Sequence, residues 1–182
     1  TRRDIVDSVN EQQLEQLPSK EIIYEGLIKG EFPEKSLPTS LELVIKVGAQ
    51  VVFLKNDIDK RWVNGTIGKV YKATKNRIEI ELENGTRHEV EPEIWRNIVY
   101  EYDEETHRVI EKEIGSFTQY PLKLAWALTI HKSQGLTFNN VIVDFGQGAF
   151  SSGQSYVALS RCTSLDGLVL KSNLNHRDVF VN

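Results

Sequence analysis

Two polar stretches in the last third of the chain carry side chains able to do chemistry. The first is Thr129-Ile130-His131-Lys132-Ser133-Gln134-Gly135-Leu136-Thr137, which gathers hydroxyls, an imidazole, an ammonium and an amide into one turn. Hydroxyl and backbone N–H groups can hold phosphate oxygens, and a Lys can neutralise them. The stretch reads either as a solvated polar turn or as an anion site. The second is Gly153-Gln154-Ser155-Tyr156-Val157-Ala158-Leu159-Ser160-Arg161. On a helix, Gln154, Val157, Ala158 and Arg161 share one side at i, i+3, i+4 and i+7. Arg161 then either complements the dipole at the end of that helix or reaches outward to a phosphate, as an arginine finger does.

Other local patterns carry less. Gly65-Thr66-Ile67-Gly68-Lys69-Val70 has a Gly-Lys pair but lacks the Gly-x4-Gly-Lys-Ser/Thr spacing that cradles phosphates, so it reads as turn and strand. Val141-Ile142-Val143-Asp144-Phe145-Gly146 resembles a strand delivering an acidic ligand, yet no phosphate loop or catalytic loop accompanies it. His88, His107, His131 and His176 match no zinc spacing. The Asn64-Gly65-Thr66 and Asn84-Gly85-Thr86 sequons would go unused in a cytosolic chain.

The two informative stretches need a scaffold. After Pro121, Leu122–Ala127 reads as an apolar strand followed by a polar turn through Gly135. Val141–Phe145 reads as a second buried strand, Gln154–Cys162 as a helix and Leu168–Leu170 as a third strand. That order is α/β grammar, in which ligands collect beyond the carboxyl ends of strands. Near the start, Asp4–Leu17 reads as a helix with Val6, Val9, Leu14 and Leu17 on one face, closed by Pro18. Glu21–Lys29 is extended, and Leu41–Leu54 holds β-rich stretches split by Gly48. From Thr66 the chain turns to short alternating strands: Thr66–Lys72, Arg77–Glu83 and Thr86–Glu91, then Ile98–Tyr102 and Arg108–Ile114 across Asp103–Thr106. Asn84-Gly85 marks a hairpin. Five short strands suggest a small barrel with a solvated, Glu-rich outer face. The expected division is therefore residues 1–64 and 118–182 as one α/β domain, interrupted by a β module at 65–117.

Composition narrows the classes. The 182 residues are 40% hydrophobic and 26% charged, with one Cys and no Met. A single Cys excludes a disulfide framework and a thiolate zinc site. No run approaches the roughly 18 apolar residues of a membrane span. Without Met the chain does not carry its own translation start and reads as a piece of a longer protein. The net charge is −4, divided as −2 over residues 1–64, −4 over 65–117 and +2 over 118–182. A general nucleic-acid-binding face would be basic, so any such partner must be held in a local groove.

Taken together, the two stretches carry a resemblance that neither carries alone. His131-Lys132-Ser133-Gln134-Gly135, followed about twenty residues later by Tyr156-Val157-Ala158-Leu159-Ser160-Arg161, resembles the last two helicase motifs of superfamily 1. The likeness is strongest to the PIF family of 5′-to-3′ DNA helicases, with RecD-like helicases next. Val47–Asp57 and Arg61–Gly68 resemble the stretch leading into that family's inserted barrel, and Thr1-Arg2-Arg3 to Asn10 resembles its fourth motif.

The resemblance implies an α/β fold: a second RecA-like helicase domain interrupted by an Src-homology-3-like (SH3-like) barrel. It implies an ATP-dependent DNA helicase in the full-length parent, inactive as this fragment alone. ATP and Mg²⁺ would be bound mainly by the absent first RecA-like domain, with no metal ligand in this chain. By motif position, Arg161 matches the arginine that reaches the γ-phosphate, and Gln134, Gly135, Gln154 and Tyr156 match positions facing the nucleotide. Thr129, His131, Lys132 and Ser133 match the side touching the DNA backbone, with Asn64 and Lys55 as further DNA-proximal positions. Thr137 stands where related helicases often carry a Glu that meets the ribose. The implied partners are single-stranded or forked DNA and the first domain of the same polypeptide, in a bacterial cytoplasm at the nucleoid and with no membrane. The rival reading is a non-catalytic module whose barrel recruits protein or nucleic acid.

Overall fold

Helix α1, Arg3–Glu15, opens the fold with Asp4 in its first turn, where a carboxylate complements the helix dipole. In this computed structural model, which describes residues 3–103 and 107–179, α1 buries Val6, Asn10 and Leu14 at i, i+4 and i+8. A polar side chain thus takes the central place in a face expected to hold Val9. Asn10 can be buried because both ends of its amide are bonded to the Ala127 backbone, donating to its O (3.0 Å) and accepting from its N–H (2.9 Å). Thr1 and Arg2, the first residues of the fourth-motif likeness, lie outside the described residues.

The chain forms two compact units, residues 14–124 and residues 1–13 with 125–182. In the first, β1 (Ile22–Glu25) pairs antiparallel with β3 (Glu42–Ile45). A five-stranded sheet runs in the order β10-β4-β5-β6-β7, from β4 (Gln50–Phe53), β5 (Ile67–Thr74), β6 (Arg77–Leu82), β7 (Arg87–Val90) and β10 (Leu122–Leu124). A three-stranded sheet sets β2 (Leu27–Gly30) and the long β8 (Glu93–Asp103) on either side of β9 (Arg108–Gln119). Alternating residues turn inward: Val51 and Phe53 on β4, Val70 on β5, Ile78 and Ile80 on β6, Val90 on β7 and Phe117 on β9. Gly68 lets β5 approach β6, since a Cβ there would fall 2.3 Å from Ile80 Cγ2. The Asn84-Gly85 turn forms where expected, with Gly85 at φ +79°.

Two expectations need correction. These strands do not close into a barrel among the described residues: β7 and β10 lie at opposite edges of their sheet, and β8 and β9 join β2 instead. The expected boundaries at 64/65 and 117/118 lie inside residues 14–124, where β4 and β10 are hydrogen-bonded into the same sheet as β5–β7. The expected strand Leu122–Ala127 is only Leu122–Leu124 and runs antiparallel to β4. Alternation tells which face of a strand is buried but not which strand lies beside it. The turn expected across Asp103–Thr106 falls largely outside the described residues, although the flanking strands pair as a hairpin.

In the second unit β11 (Val141–Val143) and β12 (Leu168–Leu170) are parallel, joined through α2 (Gln154–Leu159). Ile130, Val143, Phe145 and Ala158 form its core, with Val141, Val157, Leu168, Leu170 and Leu174 packed against them. Helix α2 stops earlier than expected. Phe138 N–H donates to the Arg161 carbonyl (2.8 Å), and a parallel bridge joins Phe138 to Cys162, so the chain leaves the helical path. No helix among the described residues is long and apolar enough to cross a membrane.

Candidate functional site

The turn at 129–136 is held by its own hydroxyls. Thr129 Oγ1 accepts from Lys132 N–H (3.3 Å), and the buried Ser133 Oγ donates to the Ile130 carbonyl (2.8 Å). Ser133 N–H lies 3.0 Å from the Thr129 carbonyl, and Gly135 closes the turn at φ +80°, a conformation that favours glycine. His131, Lys132 and Gln134 are exposed. The candidates thus divide: Thr129 and Ser133 shape the turn, while the imidazole, ammonium and amide point into solvent.

Arg161 lies two residues beyond Leu159, the last residue of α2, and is half-buried. Its Nε donates to the Val157 carbonyl (2.9 Å), Nη1 to the Leu136 carbonyl (3.1 Å) and Nη2 to Ser160 Oγ (2.9 Å). The guanidinium therefore straps the end of α2 to the end of the 129–136 turn. Both readings of this residue keep a physical basis: it caps a helical carbonyl, and of its five N–H groups three are bonded among the described residues.

Gln154 turns inward rather than outward. It is 4% exposed, and its Oε1 accepts from Phe150 N–H (2.9 Å), which fixes the loop entering α2. Tyr156 is 76% exposed. The same loop is pinned by Asp178, which sequence reasoning missed. Its carboxylate accepts from Asn175 N–H (2.8 Å) and Ala149 N–H (2.9 Å), and those bonds hold its pKa below the usual carboxylate range. Ser155 Oγ donates to the Asp178 carbonyl. The Asn175-x-x-Asp178 capping-box spacing was the available signal. At the carboxyl end of β11, Asp144 is paired with Lys171 (2.7 Å) and accepts from Gly146 N–H (2.8 Å), which together lower its pKa.

Lys55 and Asn64 belong to the unit 14–124. Lys55 Nζ is bonded to Glu93 (3.0 Å) and the Ile94 carbonyl (2.9 Å), and lies 5.2 Å from the Trp95 ring centre. Its charge is already matched by a carboxylate. Asn64 is exposed, and its backbone N–H donates to Asn56 Oδ1 (2.8 Å). The loop bearing both is locked by a pair that the sequence reading also missed. Arg61 grips Asp57 through Nε (2.8 Å), Nη2 (2.6 Å) and its own backbone N–H (3.0 Å), and this pulls the Asp57 pKa down to about 2. Arg61 also lies over Trp62, which stacks on Phe53.

A helicase family model, that of the herpes helicases, matches residues 96–178. Over its whole length the chain is 35% identical to the ATP-dependent DNA helicase Pif1 of Bdellovibrio bacteriovorus, covering 40% of that protein. It is 36% identical to human ATP-dependent DNA helicase PIF1, over 92% of this chain and 26% of that one. Unliganded Pif1 from Bacteroides superimposes on all of the chain with a TM-score of 0.89 at 38% identity, using 42% of its own length. Bacteroides Pif1 bound to single-stranded DNA matches with a TM-score of 0.81 at the same identity, also over 42% of its length.

The chain belongs to the Pif1 helicase family. It spans less than half the length of these relatives, so it is one portion of such a helicase. The mixed parallel and antiparallel sheets are those of this RecA-like family. Among the described residues no three His, Cys, Asp or Glu side chains gather as a metal site. Asp144, the acidic group best placed at a strand end, is neutralised by Lys171. Toward a phosphate this portion of a Pif1-family helicase offers Arg161, which keeps an N–H on each terminal nitrogen.

Proposed function

We propose that this chain is the C-terminal motor half of an ATP-dependent 5′-to-3′ DNA helicase, supplying the arginine finger and part of the single-stranded DNA track. In this reading residues 1–13 and 125–182 are the second RecA-like domain, and the sheets of residues 14–124 include the counterpart of the SH3-like insertion. ATP and Mg²⁺ are held mainly by the first RecA-like domain of the parent. Single-stranded or forked DNA is the other partner.

The observation that carries the reading is the Arg161 strap. Its two N–H groups without a partner among the described residues, one on each terminal nitrogen, can donate to γ-phosphate oxygens while its bonds to Val157 and Leu136 stay in place. A guanidinium held in this way stabilises charge that develops in the transition state. The bond to Leu136 ties it to the turn bearing His131 and Lys132, so movement at the nucleotide is passed to the residues proposed to face DNA. Solved relatives fit this scheme: one is Bacteroides Pif1 in complex with ADP-AlF4, and another is bound to single-stranded DNA.

The test uses the full-length parent. Arg161→Ala is expected to cut DNA-stimulated ATP turnover by about 10³-fold or more and to leave nucleotide-free DNA binding unchanged. Arg161→Lys is expected to rescue little, because Lys lacks the planar fork. Normal turnover with lowered stability would leave Arg161 as a helix cap and remove the assignment. Residues 1–182 alone are expected to show no DNA-stimulated ATP hydrolysis.

A further inference from the structure

We infer that Ser160 is a positioning residue for Arg161; the inference rests on the arginine-finger reading above. A long guanidinium side chain is useful at a transition state only if its orientation is fixed beforehand. Among the described residues, the Arg161 guanidinium has two backbone partners, the carbonyls of Val157 and Leu136, and one side-chain partner, Ser160 Oγ. Backbone carbonyls would be present whatever the sequence. The hydroxyl is the part of this clamp that residue type decides.

Geometry gives that hydroxyl a defined direction. Ser160 Oγ donates to the Val157 carbonyl (3.2 Å) and accepts from Arg161 Nη2 (2.9 Å). Arg161 Nε donates to the same Val157 carbonyl (2.9 Å). Val157 O, Ser160 Oγ and the guanidinium thus form a closed ring in which each hydrogen has one place to go. Because the Ser160 proton is committed to Val157, its lone pairs face Nη2. The ring fixes rotation of the guanidinium about the end of the side chain and sets where the open N–H groups point. Ser160 itself is exposed, has ordinary right-handed backbone angles (φ −71°, ψ −2°) and packs no core. Its loss should therefore affect orientation more than folding.

The experiment uses the full-length parent with single-stranded DNA, measuring kcat and KM for ATP together with the affinities for ADP and for ADP–aluminium fluoride. Ser160→Ala is expected to lower kcat about tenfold with KM and ADP affinity within about twofold, because a misaimed donor is felt mainly in the transition state. Affinity for ADP–aluminium fluoride should fall with kcat. Ser160→Thr, which keeps the hydroxyl, is expected to restore turnover to within about twofold of wild type. On an Arg161→Ala background, Ser160→Ala should cost nothing further, since the group that it aims is gone. Unchanged kcat in Ser160→Ala, alongside the about 10³-fold loss in Arg161→Ala, would overturn the positioning role and leave the finger assignment standing. A further tenfold loss in the double variant would also overturn it, by showing that the hydroxyl acts on something other than Arg161. Full turnover in Arg161→Ala would overturn both.

Discussion

Asp57→Asn removes the charge that holds the 54–66 loop closed. In the folded chain the Asp57 carboxylate accepts three bonds from Arg61, and its side chain is 7% exposed. An Asn keeps one acceptor but turns an NH₂ toward the guanidinium, so a donor faces a donor. The fall in pKa from 3.8 to about 2, led by the side-chain bonds to Arg61, sets a ceiling on what the charge contributes. At about 1.4 kcal/mol per pKa unit, that ceiling is about 2.5 kcal/mol. Arg61 is 38% exposed and meets water, so screening reduces the net figure to about 1 kcal/mol. The sign follows from the depressed folded pKa. The contribution is complete well above the ordinary value of 3.8, declines as pH falls from about 5 toward about 2, and is absent well below that. Urea unfolding of both proteins, followed by Trp fluorescence, measures it, since Trp62 lies between Phe53 and Arg61. At neutral pH the variant should be about 1 kcal/mol less stable, and the gap should narrow steadily as pH falls from about 5 toward about 2.5. A gap that is absent at neutral pH, or that stays constant across that range, would refute the charge-based account.

Further outcomes follow from the second unit. Lys132→Ala in the parent is expected to weaken single-stranded DNA binding equally for all sequences and to flatten its salt dependence by roughly 0.7 for each phosphate that is no longer neutralised. An unchanged slope in a salt titration would leave Lys132 a solvated turn residue. Asn10→Ala strips the partners from both polar groups of the Ala127 backbone and should cost about 2–3 kcal/mol in denaturant unfolding. A loss below about 0.5 kcal/mol would mean that water replaces the amide. Replacing residues 16–123 by a Gly/Ser linker should leave the β11–α2–β12 unit folded, because Asn10 and Ala127 already bring the cut ends together. Loss of cooperative unfolding in that variant would show that the unit depends on the excised sheets.

Local chemistry made much of the fold legible. Asn84-Gly85 marks its hairpin because the turn needs one positive φ, which Gly85 takes at +79°, and Pro18 follows closely on the end of α1. The β11–α2–β12 order follows from short apolar runs around a helical pattern. Family membership was legible too, since two motifs in sequence carry it. What tertiary structure alone decided is which groups lie opposite one another. The pairing of β4 with β10, the bond between Asn10 and Ala127 117 residues apart, and that between Asp178 and Ala149 29 residues apart have no local signature. The same holds within the candidate site. Residue type makes Thr129, Ser133, Gln154 and Arg161 polar, but a polar atom can face either a ligand or the backbone. Ser133 and Gln154 face the backbone because buried N–H and C=O groups must find partners as the chain folds back. Arg161 meets the Leu136 carbonyl, 25 residues before it in sequence, only when the 129–136 turn and α2 pack on the shared core of Ile130 and Ala158.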